Sequence, residues 1–148
     1  MSMSPSTRII EVKSMSGIKQ IHVAAAVILD NRGNIFLARR LSEAHQGGLW
    51  EFPGGKVELG ESAEQALERE LYEELDIKIR SAKSFISIPF DYPDKSILLD
   101  VFTVNQFEGT PFGKEGQETA WVELAAITNL EFPEANQPIV AKIISELG

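Results

Sequence analysis

The chain has no cysteine and only two histidines, His22 and His45, far apart in sequence. Without cysteine there is no disulfide framework, no thiol nucleophile and no thiolate-bound zinc. Two separated histidines do not suggest a zinc centre by themselves. No apolar run approaches the ~20 residues that a membrane-crossing helix needs. Cations are also in the minority: 14 Lys and Arg stand against 22 Asp and Glu, a net charge of −8. That balance argues against a broad basic surface for DNA or RNA. It still admits a small anionic ligand, because bound metal ions invert a local field. The expectation is a cytoplasmic protein with no nucleic-acid or membrane partner, monomeric or at most dimeric.

What remains is an ordinary globular composition, 43% hydrophobic and 24% charged over 148 residues, enough for one domain with a real core. Residues 1–17 are rich in Ser and Met and lack a signal-peptide core, so they read as a loose leader. Residues 18–148 read as a single domain. His22–Leu29 is a continuous apolar run of strand length, hence a strand buried on both faces. Asp30–Asn34 is a turn and Ile35–Ala38 the return strand. After a helix come strand-like pieces at Ile77–Ile79 and Phe85–Ile88, a turn at Asp91–Lys95 and a long strand at Ser96–Phe107. A short strand at Ala120–Val122, a helical turn at Leu124–Ile127 and a closing helix from Pro138 to Leu147 complete the chain. Strands interrupted by one acidic helix and closed by another imply an α/β fold with helices on both faces of a mixed sheet.

The informative stretch is Gly55–Ile77, GKVELGESAEQALERELYEELDI. Ser62 and Gln65 have the spacing of a capping box. Wound as a helix, Ala63, Ala66, Leu67, Leu71 and Leu75 form one apolar stripe, with Glu64, Gln65, Glu68 and Tyr72 opposite. Glu70 and Glu74 fall within or beside the stripe and Glu73 at its edge. Carboxylates beside a buried face are costly unless a cation neutralises them. A hard divalent ion with oxygen ligands, Mg²⁺ or Mn²⁺, suits them. Just upstream, Pro53 fixes one φ, and Gly54 and Gly55 let backbone approach a ligand closely. Phe52 is a candidate for stacking on a base, and Trp50 reads as the stronger core aromatic. Arg39 and Arg40 leave a strand towards this loop, either as a solvated end or as phosphate or base contacts.

Gly55, Glu61, Arg69, Glu70, Leu71, Glu73, Glu74 and Ile77 match the Nudix box, G-x5-E-x7-R-E-U-x-E-E-x-G-U, where U is aliphatic. One position departs: Asp76 replaces the last glycine. That position should need a left-handed backbone, which Asp is able to enter. The chain therefore resembles a Nudix hydrolase, and from about Ile21 to Ile144 it is similar to the MutT branch. The likeness rests on Ala38-Arg39-Arg40, Ala44-His45, Leu49–Glu61, Gly113–Gln117 and Phe132–Pro138. It implies the Nudix α/β/α sandwich with a central mixed sheet. It also implies hydrolysis of a nucleoside triphosphate, above all 8-oxo-dGTP and more weakly dGTP, to the monophosphate and pyrophosphate. CTP or another pyrimidine triphosphate is the alternative substrate. A further alternative is a non-catalytic module that recognises an oxidised base, although such modules lose the acids kept here.

Carried over by position, Glu70, Glu73 and Glu74 with the Gly54 carbonyl bind divalent metal, and Glu115 is a further ligand or orients water. Arg69 and Glu61 pair to hold the loop and helix in register. Arg40, His45, Glu51, Phe52, Pro53, Gly54, Lys56, Lys95 and Asn136 form the implied substrate-contacting set. Lys95 stands where this branch carries Arg, so a point donor replaces a planar fork. Asn136 is open to two readings, as a reader of a purine edge or as a cap for the closing helix.

Overall fold

The computed structural model describes residues 19–40 and 48–148. The leader and His45 lie outside the described residues. The order of strands and helices is β1 (Lys19–Leu29), β2 (Ile35–Arg39), β3 (Trp50–Glu51), β4 (Gly54–Lys56), α1 (Ala63–Leu75), β5 (Lys78–Tyr92), β6 (Lys95–Glu108), β7 (Thr119–Val122) and α2 (Gln137–Leu147). Short 3-10 turns at Leu124–Asn129 and Glu134–Asn136 lead into α2. The main sheet order is β3-β2-β1-β6-β5, with β4 also on β1 and β7 on β2. β1 and β6 run parallel and the other pairs are antiparallel, so the sheet is mixed. Among the described residues no helix is long and apolar enough to cross a membrane.

β1 is buried on both faces because alternate side chains enter two cores. Ala24, Ala26 and Ile28 pack with Leu67, Leu71 and Leu75 of α1. Ala25 and Val27 join the opposite core with Phe52, Ile139 and Ile143. The small alanines let α1 lie close against the strand. Leu67, Leu71 and Leu75 are fully buried, each contributing about 1.5–3 kcal/mol. The turn after β1 is held by the Asp30 carboxylate, which accepts bonds from the Arg32 and Asn34 amides and the Asn34 side chain.

Two sequence expectations change. The separate strand pieces at Ile77–Ile79 and Phe85–Ile88 are parts of one 15-residue strand, β5. Its polar middle hides the continuity, because register shifts occur between Ile79 and Ser81, Ser81 and Lys83, and Ser84 and Ile86. Such irregularities break the period-2 alternation that marks a strand. The turn at Asp91–Lys95 tightens to Pro93-Asp94, with Tyr92 and Lys95 directly paired. His22, without a role in the sequence reading, joins a polar chain across three strands: its Nε2 lies 2.6 Å from Asp100, which also accepts a bond from Ser87.

Candidate active site

α1 begins as its sequence implies. The Ser62 hydroxyl accepts from the Gln65 amide and the Gln65 side chain accepts from the Ser62 amide, closing the capping box. At the other end Asp76 is left-handed, with φ 62° and ψ 37°. The last helical carbonyls are met from outside the helix: Phe112 donates to Leu75 (3.2 Å) and Lys114 to Glu74 (3.0 Å). These bonds pin the Gly113–Gln117 loop, and with it Glu115, to the end of the acidic helix. The Gln117 side chain accepts from the Glu115 amide and shapes the loop's tip.

Arg69 ties the upstream loop to the helix. Its Nε and Nη2 donate to the two oxygens of Glu61 at 2.7 and 3.0 Å. Nη1 reaches Glu70 at 3.0 Å and Nη2 the Lys56 carbonyl at 3.1 Å. This planar fork pulls the Glu61 carboxyl down to about 2, mainly through those hydrogen bonds.

Strand register accounts for the Gly54 carbonyl. Ala26 donates to the Pro53 carbonyl and Val57 to the His22 carbonyl. Val23, Ala24 and Ala25 lie opposite Lys56, Gly55 and Gly54. Antiparallel ladders alternate bonded and non-bonded rows, so Gly54 and Lys56 turn their carbonyls away from β1. The Lys56 carbonyl is taken by Arg69; the Gly54 carbonyl points out along the same edge. Both glycines leave room for a close neighbour. A Cβ on Gly54 would overlap the Ala24 carbonyl oxygen, and one on Gly55 would overlap the Glu70 carboxyl. The glycine that opens the box is what lets Glu70 reach the strand.

Glu70 is largely buried, its side chain 16% exposed, whereas Glu73 is 57% exposed and 3.5 Å from Arg69. Burial first, then the hydrogen bond and charge of Glu70 and the charges of Glu51 and Glu115, push the Glu74 carboxyl up to about 9. Glu51, Glu70, Glu74 and Glu115 therefore converge closely enough to repel. Burial also raises Glu51, offset in part by Arg40, whose Nη1 lies 2.7 Å from it.

Beside the acids opens a cleft of about 290 Å³. Arg40, Glu51, Phe52, Gly54, Lys56, Lys95 and Asn136, seven of the nine expected substrate contacts, line it. Pro53 does not; its carbonyl holds β1. Asn136 occupies the N-cap position of α2, yet its side chain makes no cap hydrogen bond. Burial orders the two aromatics the other way from expectation: Phe52 is 4% exposed and stacked 5.2 Å from Phe132, yet it still lines the cleft. Trp50 is half-buried and carries the Arg39 guanidinium on its face at 5.5 Å. Arg39 is thus a tether that also donates to the Gly48 carbonyl, while Arg40 enters the cleft.

The NUDIX domain model matches residues 24–142. The chain belongs to the Nudix family. It is 40% identical to the 8-oxo-dGTP diphosphatase of Escherichia coli over 85% of this chain and 98% of that protein. Against the Haemophilus influenzae 8-oxo-dGTP diphosphatase it is 43% identical over 86% of this chain and 94% of the relative. The E. coli CTP pyrophosphohydrolase is 42% identical over 70% of this chain and 76% of the relative. A solved MutT structure, from work on the Aliivibrio salmonicida and Vibrio cholerae proteins, superposes with a TM-score of 0.77. It is 43% identical and covers 86% of this chain and 99% of that one. The α/β/α Nudix sandwich is therefore the fold.

The donors suit a divalent metal ion. They are carboxylate and carbonyl oxygens, and burial with neighbouring carboxylates disfavours the ionised form of Glu74, a cost that a cation would relieve. Among the described residues no three acids or histidines are already gathered into a ready-made ligand set.

Sequence reasoning missed the apolar wall of this Nudix cleft, Ile21, Val23, Ile97 and Leu99, and the aromatic Tyr92. The runs of apolar residues along β1 and β6 have no alternation that would single those four out, and no motif named them. Only the parallel register, with Ile21 opposite Ile97 and Val23 opposite Leu99, makes them a surface.

Proposed function

We propose that this protein is a Mg²⁺-dependent pyrophosphohydrolase that converts 8-oxo-dGTP, and more weakly dGTP, to the monophosphate and pyrophosphate. Such an activity clears an oxidised precursor from the nucleotide pool. The observation that carries the reading is Asn136, in the cleft and without a cap bond. Its amide offers a donor beside an acceptor. An 8-oxo purine presents a carbonyl O6 beside an N7–H, whereas guanine presents two acceptors.

Roles follow along the cleft. Arg40 and Lys56 supply positive charge to the phosphate chain beside Gly54 and Gly55. Phe52 backs the base, its position fixed by Phe132. Glu70, Glu73, Glu74, Glu115 and the Gly54 carbonyl would hold Mg²⁺, with Mn²⁺ as a substitute. The bound ions would neutralise phosphate charge and acidify water. One of the glutamates accepts the proton of the attacking water. Arg69 keeps the Glu61 loop and Glu70 in register.

The likeness to a CTP pyrophosphohydrolase supports pyrimidine triphosphates as the second reading. Retention of all four acids speaks against a module that binds without hydrolysis. A pyrophosphate-release panel across 8-oxo-dGTP, dGTP, CTP, dCTP and ADP-ribose, with and without Mg²⁺, tests both. The expected result is the highest kcat/KM for 8-oxo-dGTP and none without metal. A preference for CTP would replace the substrate, and absence of turnover on every nucleotide would replace the enzyme.

A further inference from the structure

Lys95 is the cleft residue whose job the family resemblance leaves least defined, and the structure gives it a neighbour. Tyr92 and Lys95 face each other across the tight Pro93-Asp94 connection at the tip of β5 and β6. The Lys95 ammonium lies over the Tyr92 ring, 5.6 Å from its centre. That ring is itself held edge-on by Phe90 at 4.8 Å. Phe90 and Tyr92 are two residues apart on one strand, so they share a face. Both Tyr92 and Lys95 line the cleft.

Register places this pair at the end away from the acids. Gly54 and Lys56 lie opposite Ala25 and Val23, and Val23 lies opposite Leu99. Lys95 is four residues before Leu99 on the same strand, or ~13 Å along the sheet. Ile97, Ile21 and Leu99 fill the interval. A triphosphate held beside Gly54 and Gly55 would lay its nucleoside, not its phosphates, along this apolar stretch towards Lys95.

A lysine on a flexible four-carbon stem is a poor reader unless something fixes it, because it has many rotamers to lose and one mobile point charge. An aromatic face within about 6 Å attracts an ammonium and narrows its range. We propose that Tyr92 is a positioning residue for nucleotide selection: its ring holds the Lys95 ammonium at the nucleoside end of the cleft, where it donates to a carbonyl oxygen of the bound base. The ring face, not the phenol hydroxyl, performs this task. The inference rests on the nucleotide reading above, and wild-type turnover of 8-oxo-dGTP, measured first, separates failure of that reading from failure of this one.

The experiment is steady-state kinetics on Tyr92→Phe, Tyr92→Leu, Lys95→Met and the Tyr92→Leu/Lys95→Met double variant. Product inhibition by the nucleoside monophosphate and by pyrophosphate is measured alongside. Tyr92→Phe keeps the ring and should behave as wild type. Tyr92→Leu should raise KM for 8-oxo-dGTP about two- to fivefold, the scale of an exposed cation–π contact, with kcat within twofold. Lys95→Met should raise KM at least as much, and the double variant no more than Lys95→Met alone. Monophosphate inhibition should weaken in step while pyrophosphate inhibition stays unchanged. Tyr92→Phe as damaging as Tyr92→Leu would give the task to the hydroxyl and overturn the proposal. So would multiplicative effects in the double variant, or a loss of pyrophosphate inhibition in Lys95→Met, which would put Lys95 on the phosphates. Tyr92→Leu sits at a hairpin tip; if it unfolds, Tyr92→Phe and Lys95→Met still decide through the monophosphate and pyrophosphate arms.

Discussion

At the acid end of the cleft, the charges of Glu51, Glu70 and Glu115 all bear on Glu74, and Arg69 and Arg40 offset only part of the negative charge. About 13 Å along the strands, the nucleoside end has apolar walls and few polar groups, chiefly Asn136 and Lys95. The acid end is in electrostatic debt: its geometry is held by Arg69, Gly55 and the pinned Glu115 loop, against repulsion that a cation would remove. The apolar end carries no charge repulsion of that kind; its cost when empty is apolar wall left facing water. On the proposed function the acid end serves the chemistry, and its cost is carried in the resting protein. On the same proposed function the other serves selection, where each polar group would matter through what it leaves unpaired on the wrong base.

The sharpest way to break this contrast is Glu74→Gln. It copies the protonated carboxyl that the metal-free fold already favours at neutral pH, and removes the charge that metal binding needs. We expect kcat to fall by at least ~10²-fold. Without metal, the melting temperature should be unchanged or higher, because Glu74 in the unfolded chain prefers to ionise and Gln removes that preference. Turnover like wild type in saturating Mg²⁺ would take Glu74 out of the site, and a marked loss of melting temperature in EDTA would mean the acid end is not strained.

Asn136→Ala tests the other end. If Asn136 reads the base, the ratio of kcat/KM for 8-oxo-dGTP over dGTP should shrink about ten- to a hundredfold, from roughly 1–3 kcal/mol per unpaired buried group. Because the side chain makes no cap bond, the melting temperature should hold. An unchanged ratio would leave Asn136 as a bystander on the cleft wall.

The difference between the two ends also explains what could be read from the chain. The acid end lies on one helix, where a period of 3.6 turns spacing directly into geometry. Glu70, Glu73, Glu74 and the Ser62 cap were legible for that reason, while the Glu61–Arg69 pair came from the family resemblance. The nucleoside end is assembled from β1, β3, β5, β6 and the turn before α2. Its members come together only once β1 pairs in parallel with β6, a contact between residues more than 70 positions apart. Resemblance supplied Lys95 and Asn136; nothing local supplied Tyr92, Ile97 or Leu99. The relative burial of Phe52 and Trp50 was reversed because a two-residue strand gives alternation no phase. Only the Phe132 stack and the Arg39 tether reveal which face each ring takes.

Glu61 sharpens the account of how the acid end stays in register. Its folded pKa is depressed, so its pairing with Arg69 stabilises the protein fully above the ordinary carboxylate value of 4.5 and is lost as pH falls towards about 2. Glu61→Gln should lower the melting temperature at pH 7, and the gap to wild type should narrow as pH is taken from 6 to 3. A gap that is constant with pH would mean that the pair acts through shape and not charge.

The smallest effect is expected at Asp76→Gly, the position where the chain departs from the family box. Asp76 is exposed and left-handed at φ 62°, the lone non-glycine with positive φ among the described residues. Glycine would relieve that conformation, since a Cβ in the left-handed region costs about 1 kcal/mol or more. The relief is offset by the larger unfolded-state freedom of glycine, worth roughly 0.4–1 kcal/mol. Asp76 also stands 3.7 Å from Lys114, which in turn sits over the Tyr72 ring at 5.4 Å. An exposed pair of that length is worth little. The net change should stay under ~1 kcal/mol in either direction by denaturant titration. The informative readout is kcat. Lys114 neighbours Glu115, and the loop is already held by backbone bonds from Phe112 and Lys114 to the end of α1. If those bonds suffice to place Glu115, Asp76→Gly leaves kcat within twofold. A tenfold fall would show that the acid end depends on the Asp76–Lys114 contact as well, and that aspartate at this position serves the site and not only the helix terminus.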